Sequence, residues 1–237
     1  MCGRFTLNQS SSALAQFFSV ENIPDLAAQY NIAPTQRVTT LLHNPETDKR
    51  ELQQLRWGLI PSWAKDPKIG VKLINARAET VAEKPAFRSA FKHRRCLVIA
   101  DGFYEWKRQN GKKQPFYFRL WDGQPFGFAG LWEKWQTEQG KPDSEEIISC
   151  TILTTAANEL VQPIHERMPV IVSPQDYDLW LNPQMPTPEG LQQLLCPYTA
   201  QAMTSYPVSS LVNNSRQNSS ECIIPLGEDK SLPENIF

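Results

Sequence analysis

The segment CLVIADGFYEW, residues 96–106, decides the fold class of this chain. Its first five residues are all apolar, which is typical of a buried strand. Asp101-Gly102 then interrupts the run with two turn-favouring residues, and the aromatic residues that follow have high strand propensity. We predict two consecutive strands that are separated at Asp101-Gly102.

Turn signals downstream extend these strands into an antiparallel meander. Asn110-Gly111 is the dipeptide that type I′ hairpins favour, because both central positions need positive φ, and Asp122-Gly123 repeats the signal. The predicted meander covers about residues 96–132, and strands at 147–154 and 169–172 join it after a polar hairpin tip or loop at 138–146. Upstream, strands are predicted at 36–42 and 51–55 around an Asn44-Pro45 turn.

Helices are predicted to be short. A helix at 10–18 has serines as N-cap acceptors and apolar residues at helical spacing. Another is predicted at 81–91, where Pro85 must lie in the first turn or break the helix. Ser173-Pro174 and Thr187-Pro188 each place a capping hydroxyl before a proline and predict two late helices. The class is therefore α+β, in one domain of residues 1–237 that ends in a tail at 228–237.

Composition restricts the classes of partner. The 24 basic and 25 acidic residues give a net charge of −1, so a polyanion must be held by a local groove rather than by a global basic field. No stretch approaches the roughly 20 apolar residues of a membrane-spanning helix, and residues 1–7 lack the features of a secretory signal. We expect no membrane partner and a cytoplasmic location.

Cysteine and histidine spacing predicts neither disulfides nor a metal site. The five cysteines are odd in number and widely spaced, without a CxxC motif, which is typical of reduced thiols. The three histidines lack the close pairing with Cys, His or Glu that zinc sites show. These residues are Cys2, Cys96, Cys150, Cys196, Cys222, His43, His93 and His165.

Cys2 is the residue that says most about chemistry. Removal of Met1 would expose a residue with both a free α-amine and a thiol, whose reference pKa values are about 8 and about 8.5. With an aldehyde, the amine condenses to a Schiff base and the thiolate then closes a five-membered thiazolidine ring. The alternative is that Cys2 is a buried small hydrophobic residue without a chemical role.

Three further residues are candidates for proton transfer or positioning. Glu105 lies among aromatic residues, where partial desolvation would raise its pKa, although strand alternation could equally point it to solvent. His165 precedes an apolar strand and could be a general acid or base, but a lone loop histidine is more often structural. Asn75 offers a neutral donor and acceptor, or is simply a strand-end amide.

Arginines interleaved with tryptophans indicate contacts with a polyanion. Trp57 and Trp63 flank a proline loop, where an exposed ring could stack on a base, although such rings more often cap a core. Each arginine alone could equally be a solvated surface charge. The arginines are Arg4, Arg56, Arg77, Arg88, Arg94, Arg95 and Arg167.

Six motifs occur in one order along nearly the whole chain. They are MCGRF at 1–5, YNIAP at 30–34, RWG at 56–58 with PSW at 61–63, NARAET at 75–80, the segment 96–106, and HERMP at 165–169. This ordered set resembles the SRAP family, the abasic-site-processing proteins first described as SOS-response-associated peptidases. The resemblance implies a barrel-like antiparallel β core with short peripheral helices, and a cleft for single-stranded DNA that contains an abasic site.

The resemblance also implies roles for individual residues. Cys2, exposed by removal of Met1, would capture the ring-opened abasic aldehyde as a thiazolidine and so crosslink the protein to DNA. Asn75 would position the amine or the adduct, Glu105 would shuttle protons, and His165 would assist sugar ring opening and reversal.

Further expectations concern DNA contacts and activity. Arg4, Arg77 and Arg167 would hold phosphates, while Pro34 and Trp63 would pack against the DNA. The implied protein acts in the DNA damage response, needs no cofactor, is a monomer, and is associated with the nucleoid when bound to DNA. Strand cleavage by an AP-lyase reaction and self-removal of Met1 are the additional activities expected.

One departure and two alternative functions stay open. Lys84-Pro85 stands where a relative can supply a further arginine, which puts that phosphate contact in doubt. An N-terminal-nucleophile amidohydrolase is the first alternative, since glutamine-hydrolysing amidotransferase domains also resemble MCG at 1–3. A non-catalytic reader of DNA bases that uses Trp57 and Trp63 is the second, and it would leave Cys2 unexplained. General proteolysis is not expected, because nothing else in the chain resembles a protease signature.

Overall fold

Two β-sheets make up most of the structure. The computed structural model describes residues 2–21, 23, 25–44, 46–109, 111–137, 144–184 and 188–227. The described strands are β1 (Phe5–Leu7), β2 (Gln29–Ile32), β3 (Arg37–Asn44), β4 (Lys49–Trp57), β5 (Asn75–Arg77), β6 (Arg95–Ala100), β7 (Gly102–Gln109), β8 (Lys112–Leu120), β9 (Phe126–Gln136), β10 (Glu146–Ala156), β11 (Arg167–Pro169), β12 (Ile171–Val172) and β13 (Met203–Pro207). The described α-helices are α1 (Ser11–Phe18), α2 (Arg88–His93), α3 (Tyr177–Leu181) and α4 (Pro188–Gln193).

Five strands of the larger sheet close into a barrel. The pairs β4–β3, β3–β6, β6–β9 and β9–β10 are all antiparallel. A short parallel pair between β10 and β4, at Ser149↔Arg56 and Cys150↔Trp57, completes the ring. The α+β class and the barrel-like core are therefore confirmed, and the closing pair makes the barrel mixed rather than wholly antiparallel.

The smaller sheet holds the N-terminal strand in its interior. Its strand order is β13-β8-β7-β1-β2. Phe5 of β1 pairs with Phe103 of β7 on one side and with Ile32 of β2 on the other, both antiparallel. The Phe5 ring packs edge-on against Trp57, with ring centroids 5.1 Å apart, so β1 also contacts the barrel core.

The predicted turns of the central meander are confirmed where they are described. β7 and β8 pair as far as Gln109↔Lys112, so the hairpin loop has two residues, and Gly111 has φ of 74°. Asn110 lies outside the described residues. Gly123 has φ of 71°, and its N–H donates to the Leu120 carbonyl oxygen at 3.1 Å. The segment 138–143, the predicted tip between β9 and β10, also lies outside the described residues.

The helix predictions are confirmed in part. α1 starts where the serines predicted, and the Ser10 hydroxyl accepts a hydrogen bond from the Ala13 N–H at 3.2 Å. The helix predicted at 81–91 is wrong, because turns occupy this segment until α2 begins at Arg88. Pro85 disfavours helical geometry at the preceding residue and has no N–H to donate, so the helix begins only after Pro85, at Arg88.

The two late helices are short, as predicted. Ser173-Pro174 opens a 3₁₀ turn, Pro174–Asp176, which runs directly into α3. α4 begins at Pro188, while Thr187 and the tail at 228–237 lie outside the described residues. No helix among the described residues is long and apolar enough to span a membrane.

A buried carboxylate fixes the N-terminal strand to the barrel strand β6. Asp101, directly after β6, accepts hydrogen bonds from the Thr6 hydroxyl at 2.5 Å and from the backbone N–H groups of Asn8 at 2.5 Å and Gln9 at 3.1 Å. The Tyr117 hydroxyl lies 2.8 Å from the Thr6 hydroxyl and extends the network. Burial raises the pKa of Asp101, and these hydrogen bonds act in the opposite direction.

We expect Asp101→Ala to lower the free energy of unfolding by about 2–4 kcal/mol, because three donors lose a buried acceptor. Asp122→Ala is the matched control, since Asp122 is an exposed turn residue that accepts from the Gln124 N–H. The control should cost less than about 1 kcal/mol. Denaturant unfolding measures both, and equal losses would show that the Asp101 network does not anchor β1.

Candidate active site at the N-terminal strand

Cys2 lies in the interior, three residues before β1, and contacts the strand that carries Asn75. Its side chain is fully buried. The Asn75 side-chain amide donates a hydrogen bond to the Cys2 carbonyl oxygen at 2.8 Å. Asn75 begins β5, which pairs in parallel with barrel strand β10 at Ile152↔Asn75. The barrel therefore sets the position of Asn75, and Asn75 holds the backbone of Cys2.

The second polar atom of the Asn75 side chain is available for another contact. Its carbonyl oxygen is buried and accepts no hydrogen bond from the described residues. Such an unsatisfied acceptor is costly in a folded protein unless a further donor reaches it. A primary or secondary amine next to Cys2 would be a suitable donor.

Glu105 is turned inward from β7 and is almost completely buried. Burial raises the pKa of its carboxyl group, and the charge of His165 lowers it in part. Burial also raises the pKa of the Cys2 thiol well above its usual range, and the negative charge of Glu105 adds to this effect. Glu105 is thus within electrostatic reach of both Cys2 and His165.

His165 lies in the loop between β10 and β11, where the backbone of Arg167 holds its ring. The Arg167 N–H donates to Nδ1 of His165 at 2.9 Å, so the neutral ring carries its proton on Nε2. The Arg167 carbonyl oxygen lies 3.1 Å from the same nitrogen. The backbone of Arg167 therefore fixes the orientation of the His165 ring.

The three arginines expected to hold phosphates differ in their environments. Arg77, at the end of β5, is exposed, and its side chain makes no hydrogen bond or ion pair with any residue that the structure describes. Arg4 is partly buried and donates to the Asn31 side-chain oxygen at 2.7 Å and to the Val212 carbonyl oxygen at 2.8 Å. Burial lowers the pKa of Arg4.

Arg167 is largely buried and pairs with an acid that sequence reasoning did not single out. Its Nη1 and Nη2 atoms donate to the two carboxylate oxygens of Glu79 at 2.5 and 3.0 Å. Nη2 also donates to the Thr154 carbonyl oxygen at 2.5 Å. Glu79 lies inside the NARAET motif, but its partner is 88 residues away, so only the fold shows the pair.

Trp63 is exposed and Trp57 is not. The Trp63 side chain is 58% exposed, in a loop anchored by a hydrogen bond from the Trp135 indole to the Ala64 carbonyl oxygen at 2.7 Å. Trp57 is fully buried, and its indole N–H donates to the Ile74 carbonyl oxygen at 2.9 Å. Base stacking by Trp57 is therefore excluded, and the alternative that its ring packs in the core is confirmed.

Pro34 lies in the turn between β2 and β3, which the barrel holds firmly. The next residue, Thr35, has φ of 72°, and its N–H donates to the Trp57 carbonyl oxygen at 2.8 Å. Pro34 itself is partly exposed. Like Trp63, it is in a position that a ligand can reach.

Two of the remaining arginines have structural environments instead. Arg95 is only 3% exposed and donates to the carbonyl oxygens of Phe91, Lys92, Trp180 and Asn182 at the ends of α2 and α3. Burial lowers its pKa to about 10. Arg94 forms an ion pair with Glu133 at 2.7 Å. A polyanion contact by Arg95 is excluded by its burial.

No metal site accompanies these residues in the described part of the chain. The described residues contain no group of three or more His, Cys, Asp or Glu side chains that could hold an ion. All five cysteines are described, and no disulfide joins them. The candidate site therefore consists of Cys2, Asn75, Glu105 and His165.

Comparison with known proteins identifies the family. The family model described as "SOS response associated peptidase (SRAP)" matches residues 1–215. The chain belongs to the SRAP family. The predicted family membership is thus confirmed.

SRAP relatives match over most of the chain. The abasic site processing protein YoqW of Bacillus subtilis (strain 168) is 47% identical over 227 residues, covering 94% of this chain and 99% of that protein. The abasic site processing protein HMCES of Xenopus tropicalis is 35% identical over 223 residues, covering 82% of this chain and 65% of that protein. A crystal structure of a Bacteroides thetaiotaomicron protein superposes with a TM-score of 0.84 at 26% identity, covering 95% of this chain and 100% of that one.

The burial of Cys2 predicts a reactivity order among the thiols of the protein that retains Met1. Cys196 is exposed, whereas the Cys2 thiol is inaccessible and has a raised pKa. Iodoacetamide at neutral pH should alkylate Cys196 at least about tenfold faster than Cys2, because the thiolate is the nucleophile. Peptide mapping during a time course measures the two rates, and labelling of Cys2 first would contradict the buried site.

Proposed function

We propose that this protein processes abasic sites in single-stranded DNA by forming a covalent thiazolidine through Cys2, once Met1 has been removed. The observation that supports the proposal is the convergence of Cys2, Asn75, Glu105 and His165 from four separate segments of the chain. The names of the relatives point to the same substrate, because YoqW and HMCES are both abasic site processing proteins.

The reaction begins at the amine of the processed N-terminus. His165 assists opening of the abasic sugar by moving a proton between the anomeric hydroxyl and the ring oxygen, which leaves an aldehyde. The α-amine of Cys2 adds to the aldehyde carbon, and loss of one water gives an imine. Asn75 is placed to orient this amine, because its Oδ1 atom is a buried acceptor beside Cys2.

Ring closure then uses the thiol of the same residue. The sulfur adds to the imine carbon, a C–S bond forms, the thiol proton leaves, and the nitrogen takes up a proton. The product is a five-membered ring that contains both nucleophiles, so hydrolysis must break a C–S bond as well as a C–N bond. The advantage of an intramolecular attack makes this step favourable.

Glu105 is suited to serve both steps. Burial raises the pKa of the Glu105 carboxyl group, which favours its protonated form, and this form can donate a proton to the departing hydroxyl. The resulting carboxylate can then accept the thiol proton as sulfur attacks. Removal of Met1 also places the α-ammonium of Cys2 next to the thiol, which lowers the thiol pKa relative to the unprocessed chain.

DNA binding is proposed to involve Arg4, Arg77 and Arg167 at phosphates, with Pro34 and Trp63 against the strand beside the lesion. Arg77 is the most accessible of the three arginines. Arg167 must exchange Glu79 for a phosphate before it can contribute. The protein is proposed to act as a monomer without a cofactor, in the cytoplasm and on the nucleoid when DNA is bound.

Two additional activities follow from the same chemistry. The imine acidifies the neighbouring carbon, so β-elimination can cut the strand whenever ring closure is slow. Self-removal of Met1 would generate the nucleophile and is the one peptidase activity that we propose. A glutamine-hydrolysing activity, the alternative considered from MCG at 1–3, is supported by none of the comparisons.

Cys2→Ser separates the roles of the amine and the thiol, provided that Met1 is still removed. The variant keeps the α-amine but replaces the ring-closing thiolate by a much weaker nucleophile. We expect it to form an imine that is detected only after borohydride reduction, whereas wild type gives a heat-stable adduct without reductant. A stable, unreduced Cys2→Ser adduct, or a wild-type adduct mapped to a lysine, would refute the thiazolidine mechanism.

Arg77→Ala tests the phosphate contact independently of the covalent step. Loss of one neutralised phosphate should weaken binding of intact and abasic single strands alike and reduce the log–log salt slope by about 0.7. Arg119→Ala is the matched control, since Arg119 is also exposed but lies on β8 and is not among the arginines considered for polyanion contact. Fluorescence anisotropy across a salt series compares the variants, and equal slopes for Arg77→Ala and wild type would remove Arg77 from the DNA interface.

A further inference from the structure

Glu79 joins the two segments that supply Asn75 and His165. It lies in the 3₁₀ turn Ala78–Thr80, directly after β5, and its carboxylate grips the guanidinium of Arg167 with two hydrogen bonds of 2.5 and 3.0 Å. Arg167 begins β11 and is two residues from His165. This ion pair therefore connects the strand that begins with Asn75 to the loop that holds His165.

The two ends of Arg167 perform different tasks. Its backbone N–H donates to Nδ1 of His165 at 2.9 Å and so orients the imidazole ring. Its side chain is only 13% exposed and is fixed by Glu79 and by the Thr154 carbonyl oxygen. Because the guanidinium is a rigid planar fork, a bidentate partner fixes its orientation as well as its position.

Glu79 occupies the two Nη donors of Arg167 that a DNA phosphate would also use. Arg–carboxylate and Arg–phosphate pairs share the same two-donor geometry. The Nε atom of Arg167 makes no hydrogen bond with a described residue, but it is buried, so a phosphate cannot bind through this atom instead. Glu79 is 51% exposed, which leaves it able to swing away when a phosphate competes.

We propose that Glu79 is a positioning residue that holds His165 through Arg167 and, in the same contact, competes with DNA phosphate for the Arg167 guanidinium. This inference rests on the proposed function, because it assigns His165 a proton-transfer role in adduct formation. In this proposal Glu79 lowers the affinity for the DNA strand and raises the rate of adduct formation.

The two effects of Glu79 have opposite signs, which a purely structural residue would not produce. Loss of the carboxylate frees Arg167 and removes a negative charge beside Arg77, so affinity for intact single strands should rise by roughly two- to fivefold at low salt. Without the hydrogen bonds from Arg167 to Glu79, Arg167 no longer fixes the orientation of the His165 ring. The rate of adduct formation at saturating DNA should therefore fall by about tenfold. Destabilisation of the fold alone would lower both quantities.

The experiment compares Glu79→Ala, Glu79→Gln and the control Glu166→Gln in the processed full-length protein. Glu166 is exposed and lies beside His165, and the side-chain partners of Arg167 among the described residues are Glu79 and Thr154 instead. The adduct rate should increase in the order Glu79→Ala, Glu79→Gln, wild type, because Gln keeps one acceptor for the fork. Both Glu79 variants should bind an intact strand more tightly than wild type, whereas the control should match wild type in rate.

A spectroscopic measurement makes the inference independent of activity. The chain has 3 histidines, so ¹⁵N-histidine labelling gives resolvable ring signals. The Nδ1 and Nε2 signals of His165 are assigned by their disappearance in His165→Ala. In Glu79→Ala the Nδ1 and Nε2 shifts of neutral His165 should move towards the average of exchanging tautomers. Unchanged shifts in Glu79→Ala, or a parallel fall of rate and affinity that follows a loss of thermal stability, would overturn the inference. If wild type forms no adduct, the proposed function fails, and the NMR and affinity measurements still decide the role of Glu79.

Discussion

A nucleophile at the end of a chain has one covalent connection to the rest of the protein, so it must be fixed by non-covalent contacts. Chain termini otherwise fray and sample many conformations. Here β1 lies between β7 and β2, and Phe5 inserts its ring against Trp57 in the barrel core. The Asp101 carboxylate holds the other end of β1. Every other feature of the site depends on this insertion, because it brings Cys2 within hydrogen-bond distance of Asn75 and within electrostatic reach of Glu105.

The site then uses burial to control when its groups react. Burial raises the pKa of the Cys2 thiol and of the Glu105 carboxyl group, and the negative charge of Glu105 raises the Cys2 pKa further. A new α-ammonium group at Cys2 would change both environments at once. In the proposed function, removal of Met1 therefore exposes an amine and also changes the electrostatic environment of the Cys2 thiol and of Glu105. In the proposed function, the charges outside this interior, at Arg77 and in the Glu79–Arg167 pair, are assigned to DNA binding.

Local signals in the sequence predicted much of the fold. The segment 96–106, the glycine turns and the serine cap of α1 specify their structures through nearby residues, and all three are confirmed where described. The parallel pair that closes the barrel joins β4 to β10 across a long stretch of chain, which periodicity cannot show. The sequence left open whether Pro85 lies in the first turn of a helix or interrupts it, and the structure shows that the helix begins only after Pro85, at Arg88.

The site was predictable to the extent that its residues lie in motifs. Cys2, Asn75, Glu105 and His165 were all found from the sequence, and the structure places them together, although their catalytic roles are still proposals. The sequence left open whether the rings of Trp57 and Trp63 are exposed or pack in the core, and only the fold shows that Trp57 is buried and Trp63 exposed. The Glu79–Arg167 pair was missed because its two halves lie in different motifs, and only three-dimensional contact reveals that they meet.

The most direct test of this account is intact mass spectrometry after incubation with single-stranded DNA that carries one abasic site. Two forms of the protein are compared, one with Met1 removed and one that retains it. The account predicts one adduct per chain for the processed form, with a mass equal to protein plus DNA less one water, stable to heat without reductant and located at Cys2. It predicts no such adduct for the form that retains Met1. A heat-stable adduct in equal yield from both forms, or none from the processed form, would contradict the claim that the amine and thiol of Cys2 capture the abasic aldehyde together.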